Sequence, residues 1–368
     1  MFFMNTSALF RRVARLFVVG FDGLSPDRHI KRLIDDGVGG VILFKRNVES
    51  PEQVAALVKE LKSHAGRPLL LSVDQEGGRV ARLRGPPFTA LPPMREVGKT
   101  RDLALARRVG RLLAYEVRAL GFDQDYAPVL DVDTNPKNPV IGDRSLHADA
   151  QEVARLGVAL AQGLEEGGVA SCGKHFPGHG DTALDSHLDL PTLPHGLERL
   201  RAVELVPFAA YAKAGLASLM TAHVVFEAVA PKTPATMSRE VLTGVLREEL
   251  GFAGVVVSDD LEMKAIAGHF SVERAAVEGL KAGADQFLVC HHEAVQRKAI
   301  EAVVKAVEVG EVTPAQVDAA VARVDALVRR FVRGPEDGVE RLGSAEHRAL
   351  AQGLEADRFV GVDPTERA

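Results

Sequence analysis

The sequence predicts an α/β protein organised as a single (β/α)8 TIM-type barrel with a short C-terminal tail. Two observations predict this fold: eight short apolar or β-branched runs occur along the chain, and segments of helical periodicity or long loops separate them. Apolar strands that alternate with amphipathic helices favour a parallel sheet, and eight such units favour a closed barrel. An open doubly wound sheet is the alternative. A nucleotide-binding version of that sheet is disfavoured, because no GxGxxG motif follows the first strand and no Walker loop occurs.

The eight strands are predicted because each is an apolar run that lies between sequences typical of turns or helices. In chain order they are LFVVG (16–20), GVILF (40–44), LLLSVD (69–74), FDQDYA (122–127), VASCGKH (169–175), SLMTAH (218–223), GVVVSD (254–259) and ADQFLV (284–289). The predicted helices span 51–64, 102–120, 149–167, 197–214, 239–250, 272–282, 294–309 and 314–331. The run that begins at Leu16 follows three arginines but is too short for a secretory segment, so we interpret it as the first strand.

Composition excludes several classes of protein. The chain of 368 residues is 46% apolar and 26% charged, with a net charge of -5, which predicts neither a nucleic-acid nor a membrane partner. No run approaches the roughly 18 apolar residues needed to span a bilayer. Its two cysteines, Cys172 and Cys290, lie in apolar runs, which favours small core residues over a disulfide or a zinc framework. This usage predicts a reducing, cytoplasmic location.

Polar side chains end four of the predicted strands. Asp74 ends the third strand, Lys174 and His175 end the fifth, His223 ends the sixth and Asp259 ends the seventh. In a barrel the carboxyl ends of all strands open on one face, where active sites are built. The shared position therefore favours a site over isolated helix caps or loop hydrogen bonds.

The segment 174–187 concentrates ionisable groups. Its sequence, KHFPGHGDTALDSH, places a lysine, three histidines and two aspartates in a loop rich in glycine and proline. Such a loop contributes little to a core, and loops held by a rigid scaffold are where catalytic groups usually lie. The segment therefore predicts a catalytic site.

These groups suit cleavage of a glycosidic bond. Asp259 and Asp260 are adjacent carboxylates at the end of an apolar strand, and one carboxylate near a carbon that develops positive charge can act as a nucleophile. A second group must protonate the departing oxygen. His187, with Asp185 two positions before it, is a candidate for that acid.

Three motifs stand out along the chain: DQEGGRV (74–80), KHFPGHG with the following DSH (174–187), and SDDLEM (258–263). Together they resemble glycoside hydrolase family 3, most closely its bacterial β-N-acetylhexosaminidase branch. The resemblance covers roughly residues 16–331.

The resemblance implies roles for individual residues. Asp259, rather than Asp260, would be the nucleophile, and His187 the acid/base supported by Asp185. The residues implied to line the sugar pocket are Asp74, Arg82, Arg144, Lys174 and His175. The implied activity is that of a retaining exo-β-N-acetylglucosaminidase, which forms a covalent glycosyl-Asp intermediate and needs no cofactor or metal.

The resemblance also implies substrate and domain organisation. The substrate would be terminal, non-reducing, β-linked N-acetylglucosamine on glycans or on muropeptides from peptidoglycan turnover. Some members of the family carry a second domain, but we expect residues 1–335 to form the barrel and residues 336–368 a tail, with no second domain. We expect a monomer or a weak oligomer.

Other functions stay open at this point. A metal-dependent hydrolase would draw on the cluster of His175, His179, Asp181, Asp185 and His187, although their spacing matches no HExxH or CxxC pattern. A non-catalytic sugar-binding barrel would require loss of the nucleophile or the acid. Within the family, the alternatives are another exo-β-glycosidase or transfer of the sugar to phosphate, which a histidine would permit because it does not repel an anion as a carboxylate does.

Overall fold

The computed structural model describes residues 6–334, 338–354, 363 and 365. Within residues 6–334, eight parallel strands close into a barrel in which each strand pairs with its neighbours in sequence. The strands are β1 (Phe17–Val19), β2 (Gly40–Leu43), β3 (Leu70–Val73), β4 (Gln124–Asp125), β5 (Ala170–Phe176), β6 (Ser218–Thr221), β7 (Val255–Asp260) and β8 (Gln286–Val289). Pairing of Val18 in β1 with Leu288 in β8 completes the ring. The predicted (β/α)8 fold is confirmed, and the ends of the eight strands differ from the prediction by at most two residues.

The barrel interior is packed, because continuous apolar strands are covered on both faces. Val255, Val256 and Val257 in β7 are each 2% exposed or less. Polar side chains inside the barrel pair with each other: Gln124 Nε2 donates to Ser218 Oγ at 2.9 Å. The strands therefore form a rigid base for the loops at their carboxyl ends.

Helices surround the barrel. The α-helices are Thr6–Ala14, Arg28–Asp36, Pro51–Ala65, Met94–Thr100, Leu103–Ala119, Ala150–Glu166, Leu197–Ala202, Leu205–Lys213, Lys264–Ala267, Val272–Ala282, Glu293–Glu308, Pro314–Phe331 and Ala345–Gln352, and Glu240–Glu249 is a π-helix. The eight predicted helices are present, but the one predicted over 197–214 is two helices. Glu204 lies at the break with its side chain buried, where it accepts hydrogen bonds from Arg199.

The segment before the first strand forms a helix that the sequence analysis did not predict. Arg12 pairs with Asp318, and Arg15 pairs with Asp325 at 2.5 Å, so two of the three N-terminal arginines anchor this segment to the last barrel helix. Among the described residues, no helix is both long and apolar enough to cross a membrane.

The two cysteines match the prediction of small core residues. Cys172 and Cys290 are free and buried. Burial raises the pKa of the Cys172 thiol to about 12 and that of the Cys290 thiol well above its usual range. Both side chains are therefore protonated near neutral pH and are poor nucleophiles.

The described part of the C-terminal segment packs on the barrel. The Glu116 carboxylate, on a barrel helix, accepts a hydrogen bond from the Gly343 backbone N–H at 3.3 Å and from Thr89 Oγ1 at 2.5 Å. Leu342, Leu350 and Leu354 are buried. The division at residue 335 and the absence of a second domain stay predictions.

Candidate active site

A pocket opens at the carboxyl ends of the barrel strands. The sequence-predicted residues in its lining are Asp74, Arg82, Arg144, Lys174, His175, His187 and Asp259. Asp185 stands behind His187 rather than in the lining. The barrel therefore brings together side chains that lie up to 185 residues apart in the sequence, between Asp74 and Asp259.

Asp259 lies near the end of β7 with its side chain half-buried. Its Oδ1 accepts a hydrogen bond from the Asp260 backbone N–H at 2.8 Å. Burial alone would raise the pKa of this carboxyl, but His175, His223 and His187, together with that hydrogen bond, lower it below its usual range. Asp259 is therefore ionised at neutral pH, as a nucleophile must be.

Asp185 holds the His187 imidazole. His187 Nδ1 lies 2.7 Å from Asp185 Oδ1, which also accepts from the His187 backbone N–H at 2.9 Å. Burial would raise the pKa of Asp185, but these bonds and the imidazole charge lower it, so the aspartate stays anionic. An anion at Nδ1 favours the N–H there and leaves Nε2 as the ring nitrogen for proton exchange in the cavity.

The loop that carries His187 is fixed at Ser186, the residue before it. Ser186 Oγ lies 2.9 Å from His179 Nε2, and the Ser186 carbonyl accepts from the Ala265 backbone N–H at 3.2 Å. His179 is buried and its Nδ1 lies 2.8 Å from Thr182 Oγ1. Burial and the neighbouring His175 lower the pKa of His179 to about 4. His179 is thus a neutral anchor of the loop.

Alternating cations and carboxylates form the wall of the cavity. Lys174 Nζ lies 2.8 Å from Asp74 Oδ1 and 2.6 Å from Glu76 Oε1. Arg144 binds both oxygens of Glu76, at 2.9 and 2.8 Å. Arg82 Nη2 lies 3.3 Å from Asp74 Oδ2. Each carboxylate is therefore shared between two cations.

Glu76 takes its charge state from this network. Burial would raise its pKa, but Arg144 and Lys174 lower it far below its usual range. A carboxyl held ionised in this way is a poor general acid. Its place is behind the cavity wall, where it fixes the two cations.

Asp131 is a site residue that the sequence analysis missed. Its Oδ2 lies 2.7 Å from His175 Nδ1, and its Oδ1 accepts from the His179 backbone N–H at 2.7 Å. Burial would raise its pKa, but the two histidines lower it. Asp131 therefore orients His175 toward the cavity. The apolar residues Val129 and Leu130, which directly precede it, were the available signal.

His223 supports the site from outside the cavity lining. Its Nδ1 lies 2.8 Å from Thr236 Oγ1 and its Nε2 lies 3.0 Å from the Asp260 carbonyl oxygen. Burial lowers the pKa of His223. The residue therefore braces the end of β7 just beyond Asp259.

The residues that the sequence analysis considered as a metal cluster pair with separate partners. His175 pairs with Asp131, His187 pairs with Asp185, and Asp181 Oδ2 lies 2.7 Å from His195 Nε2. Among the residues that the structure describes, no group of three or more His, Cys, Asp or Glu side chains is arranged to hold a metal ion. The fold does not gather this set around one point.

The cavity holds an ionised carboxylate and an imidazole paired with an aspartate, which are groups that can serve as nucleophile and as general acid at a glycosidic bond. Comparison with known proteins agrees. Residues 9–327 match the glycosyl hydrolase family 3 N terminal domain. The chain belongs to this family and is a glycoside hydrolase, as the sequence motifs predicted.

Relatives of known name or structure are similar over most of their length. The chain is 46% identical over 283 residues to a beta-hexosaminidase of Thiobacillus denitrificans, which covers 75% of this chain and 77% of that protein. It matches the structure of a family 3 beta-N-acetylglucosaminidase from Paenibacillus sp. with a TM-score of 0.89 and 42% identity, over 94% of this chain and 68% of that one. It matches NagZ from Neisseria gonorrhoeae in complex with N-trifluoroacetyl-D-glucosamine with a TM-score of 0.78 and 34% identity, over 92% and 97% of the two chains.

We expect His179 to make the stability of the protein depend on pH between about 6.5, its ordinary pKa, and about 4. In this window the unfolded chain binds a proton that the folded protein excludes, so stability is complete above the window and falls as the pH falls through it. In His179→Asn the slope of unfolding free energy against pH should drop by up to about 1.4 kcal/mol per pH unit. Urea unfolding at several pH values measures the slope.

The exposed His269 provides the matched control, since His269→Asn removes an imidazole outside the cavity lining. Equal slopes in the wild type and His179→Asn would contradict a neutral, buried anchor.

Proposed function

We propose that this protein is a retaining exo-β-N-acetylglucosaminidase that removes terminal, non-reducing, β-linked N-acetylglucosamine. The observation that carries the proposal is that Asp259 and His187 face one cavity with an ion-lined wall, and that Asp185 holds the His187 imidazole from behind. The names of the similar proteins, beta-hexosaminidase and beta-N-acetylglucosaminidase, support the choice of sugar. A neighbour whose structure holds N-trifluoroacetyl-D-glucosamine supports it further.

In the first step, the Asp259 carboxylate attacks the anomeric carbon. The bond between that carbon and the glycosidic oxygen breaks, and His187 Nε2 gives its proton to the departing oxygen. The product is a glycosyl ester of Asp259 and a neutral imidazole. Asp185 stabilises the imidazolium before this transfer, because its carboxylate remains ionised at Nδ1.

In the second step, neutral His187 takes a proton from a water molecule. The water oxygen bonds to the anomeric carbon, and the ester bond to Asp259 breaks. The carboxylate and the imidazolium are restored together. One histidine therefore serves as acid and then as base.

The wall of the cavity suits binding of sugar hydroxyls. Asp74 accepts hydrogen bonds, whereas Lys174 and Arg82 donate them, and charge-assisted bonds are roughly twice as strong as neutral ones. Glu76 and Asp131 lie one layer behind and hold the donors and His175 in place. We assign Arg144 and His175 to the same sugar-binding wall.

We further propose that the donors are muropeptides from peptidoglycan turnover and that the enzyme acts in the cytoplasm as a monomer or weak oligomer. The resemblance to the bacterial β-N-acetylhexosaminidase branch supports the substrate. Two free, buried cysteines support the compartment. Comparing hydrolysis of an aryl N-acetyl-β-glucosaminide with that of the aryl β-glucoside separates this activity from that of another exo-β-glycosidase.

Transfer to phosphate is the second candidate. The observation that favours it is the histidine acid/base, which carries no negative charge when neutral and so does not repel phosphate. Turnover in phosphate buffer distinguishes the two activities: free N-acetylglucosamine as the product supports hydrolysis, and N-acetylglucosamine 1-phosphate supports phosphorolysis.

We expect Asp259 to form the covalent intermediate. A fluorinated N-acetylglucosaminyl donor with a good leaving group should label Asp259, as read by peptide mapping, and Asp259→Ala should lower kcat by roughly 10⁴-fold. Asp260→Asn is the matched control, because Asp260 is adjacent but bonds to the Cys290 backbone N–H and to His291. A label on another residue, or none on an active protein, would point to participation of the substrate's own acetamido group.

We expect His187→Ala to slow cleavage of a natural disaccharide-type substrate far more than that of a dinitrophenyl glycoside, which needs no protonation to depart. The gap should be about 10² to 10⁴-fold, the usual contribution of general acid/base catalysis. Azide, which needs no base, should restore turnover of the activated substrate and give the β-glycosyl azide. Asp185→Ala should show a milder form of the same defect.

His269→Ala is the control for this experiment, since it removes an exposed histidine that is also paired with an aspartate, Asp189. Should His187→Ala slow both substrates equally, with no effect of azide, His187 would be a structural or sugar-binding residue instead.

A further inference from the structure

Two residues from the extreme C-terminal part of the chain lie at the cavity. Arg82 Nη1 donates to Asp363 Oδ2 at 2.5 Å, across 281 positions of sequence, and Arg82 Nη2 donates to Thr365 Oγ1 at 2.7 Å. We propose that this C-terminal contact completes the sugar-binding pocket: Asp363 is a positioning residue for Arg82, and Thr365 forms part of the pocket wall.

Asp363 and Thr365 form one locally bonded unit. The Thr365 backbone N–H and Oγ1–H both donate to Asp363 Oδ1, at 2.9 and 2.6 Å. The other carboxylate oxygen, Oδ2, is directed to Arg82. The Asp363 carboxylate therefore binds both Thr365 and the guanidinium of Arg82.

The ion pair is buried. The side chains of Arg82 and Asp363 are 1% and 4% exposed. A buried guanidinium requires a well-placed anion, because removing one partner leaves an uncompensated charge. Asp74, at 3.3 Å, already shares its carboxylate with Lys174. Asp363 thus supplies the closer anion to Arg82.

The two residues have different places at the cavity. Thr365 lines the cavity and, like Asp74, accepts a hydrogen bond from Arg82 Nη2. Asp363 lies outside the lining and pairs with Arg82, which lines it. Thr365 therefore forms part of the wall, and Asp363 acts through Arg82.

The expected contribution is to substrate binding. A free arginine side chain must lose conformational entropy before it can hold a sugar hydroxyl, and a fixed guanidinium has already lost it. Phe44, whose ring centroid lies 5.6 Å from the Arg82 guanidinium carbon, confines the same group from another side. The inference rests on the proposed function, in which Arg82 binds the sugar.

The test compares steady-state kinetics of the full chain and its variants on an aryl N-acetyl-β-glucosaminide. Asp363→Asn should raise KM by about 10- to 100-fold, the scale of a misplaced binding group. We expect kcat to change by about 3-fold at most. Asp363→Glu should recover part of the loss, since it keeps the charge. Thr365→Val should raise KM more weakly, because it removes one acceptor from Arg82.

A double-mutant cycle with Arg82→Met tests whether Asp363 acts through Arg82. In the Arg82→Met background, Asp363→Asn should have little further effect on KM, since effects of residues in one network are not additive. Asp36→Asn is the matched control, because it breaks an Arg297–Asp36 pair that is partly exposed and outside the cavity lining. Thermal unfolding of each variant separates loss of binding from loss of fold.

The outcomes are distinct. A KM unchanged in Asp363→Asn, or additive effects of Asp363→Asn and Arg82→Met, would overturn the positioning role. A chain that ends at Leu354 and has a higher kcat/KM than the full chain would overturn it also, because the segment would then compete with the substrate. If the wild type cleaves no N-acetylglucosaminide, the proposed function itself fails; an active wild type whose kinetics match those of Asp363→Asn overturns only the role of the segment.

Discussion

The site depends on the burial of Lys174, whose side chain is only 2% exposed. A buried ammonium is stable only with carboxylates in good geometry, and here Asp74 and Glu76 lie within 2.8 Å of Nζ. These charges favour the ammonium over the neutral amine and raise the pKa of Lys174 above its usual range, against the effect of burial. The pair of acids in turn requires Arg82 and Arg144. One buried charge at the end of β5 thus organises the wall of the cavity.

A second set of contacts on the same barrel face holds His187, the proposed acid/base. Asp131 fixes His175 and the backbone of His179, and His179 fixes Ser186, which directly precedes His187. This chain of hydrogen bonds runs from the carboxyl side of β4 to the loop after β5. The contacts around Lys174 and those around Asp131 meet at His175, which Asp131 holds and which lines the same cavity as Lys174.

The sequence predicted the barrel because its signal is local and repeated. Apolar runs such as GVVVSD predict both a strand and the polar residues at its end. The motif residues Asp74, Lys174 and Asp259 lie at such ends. The helix over 6–14 has no such repeated context. The break at Glu204 depends on a buried carboxylate paired with Arg199, which periodicity does not reveal. Local pattern therefore sufficed for the scaffold and for the polar residues at the strand ends, whereas Arg82 and Arg144 were predicted only from the resemblance to the family.

What the sequence did not predict depends on contacts between distant segments. Asp131 follows the fourth strand by six residues, and its role depends on a hydrogen bond with His175 that only the folded chain shows. Asp363 and Thr365 reach Arg82 from the other end of the chain, in a charged segment that gives no local sign of a site. Ion pairs of this kind are fixed by tertiary geometry. They are visible only when the fold is known.

In the proposed mechanism Asp259 attacks the anomeric carbon while His187 protonates the glycosidic oxygen, and two such displacements retain the anomeric configuration. Proton NMR of the anomeric region during the first minutes of hydrolysis tests this mechanism, before mutarotation mixes the anomers. We expect the β-anomer of N-acetylglucosamine to appear first. Initial release of the α-anomer would contradict it, because water would then have displaced the leaving group in a single step.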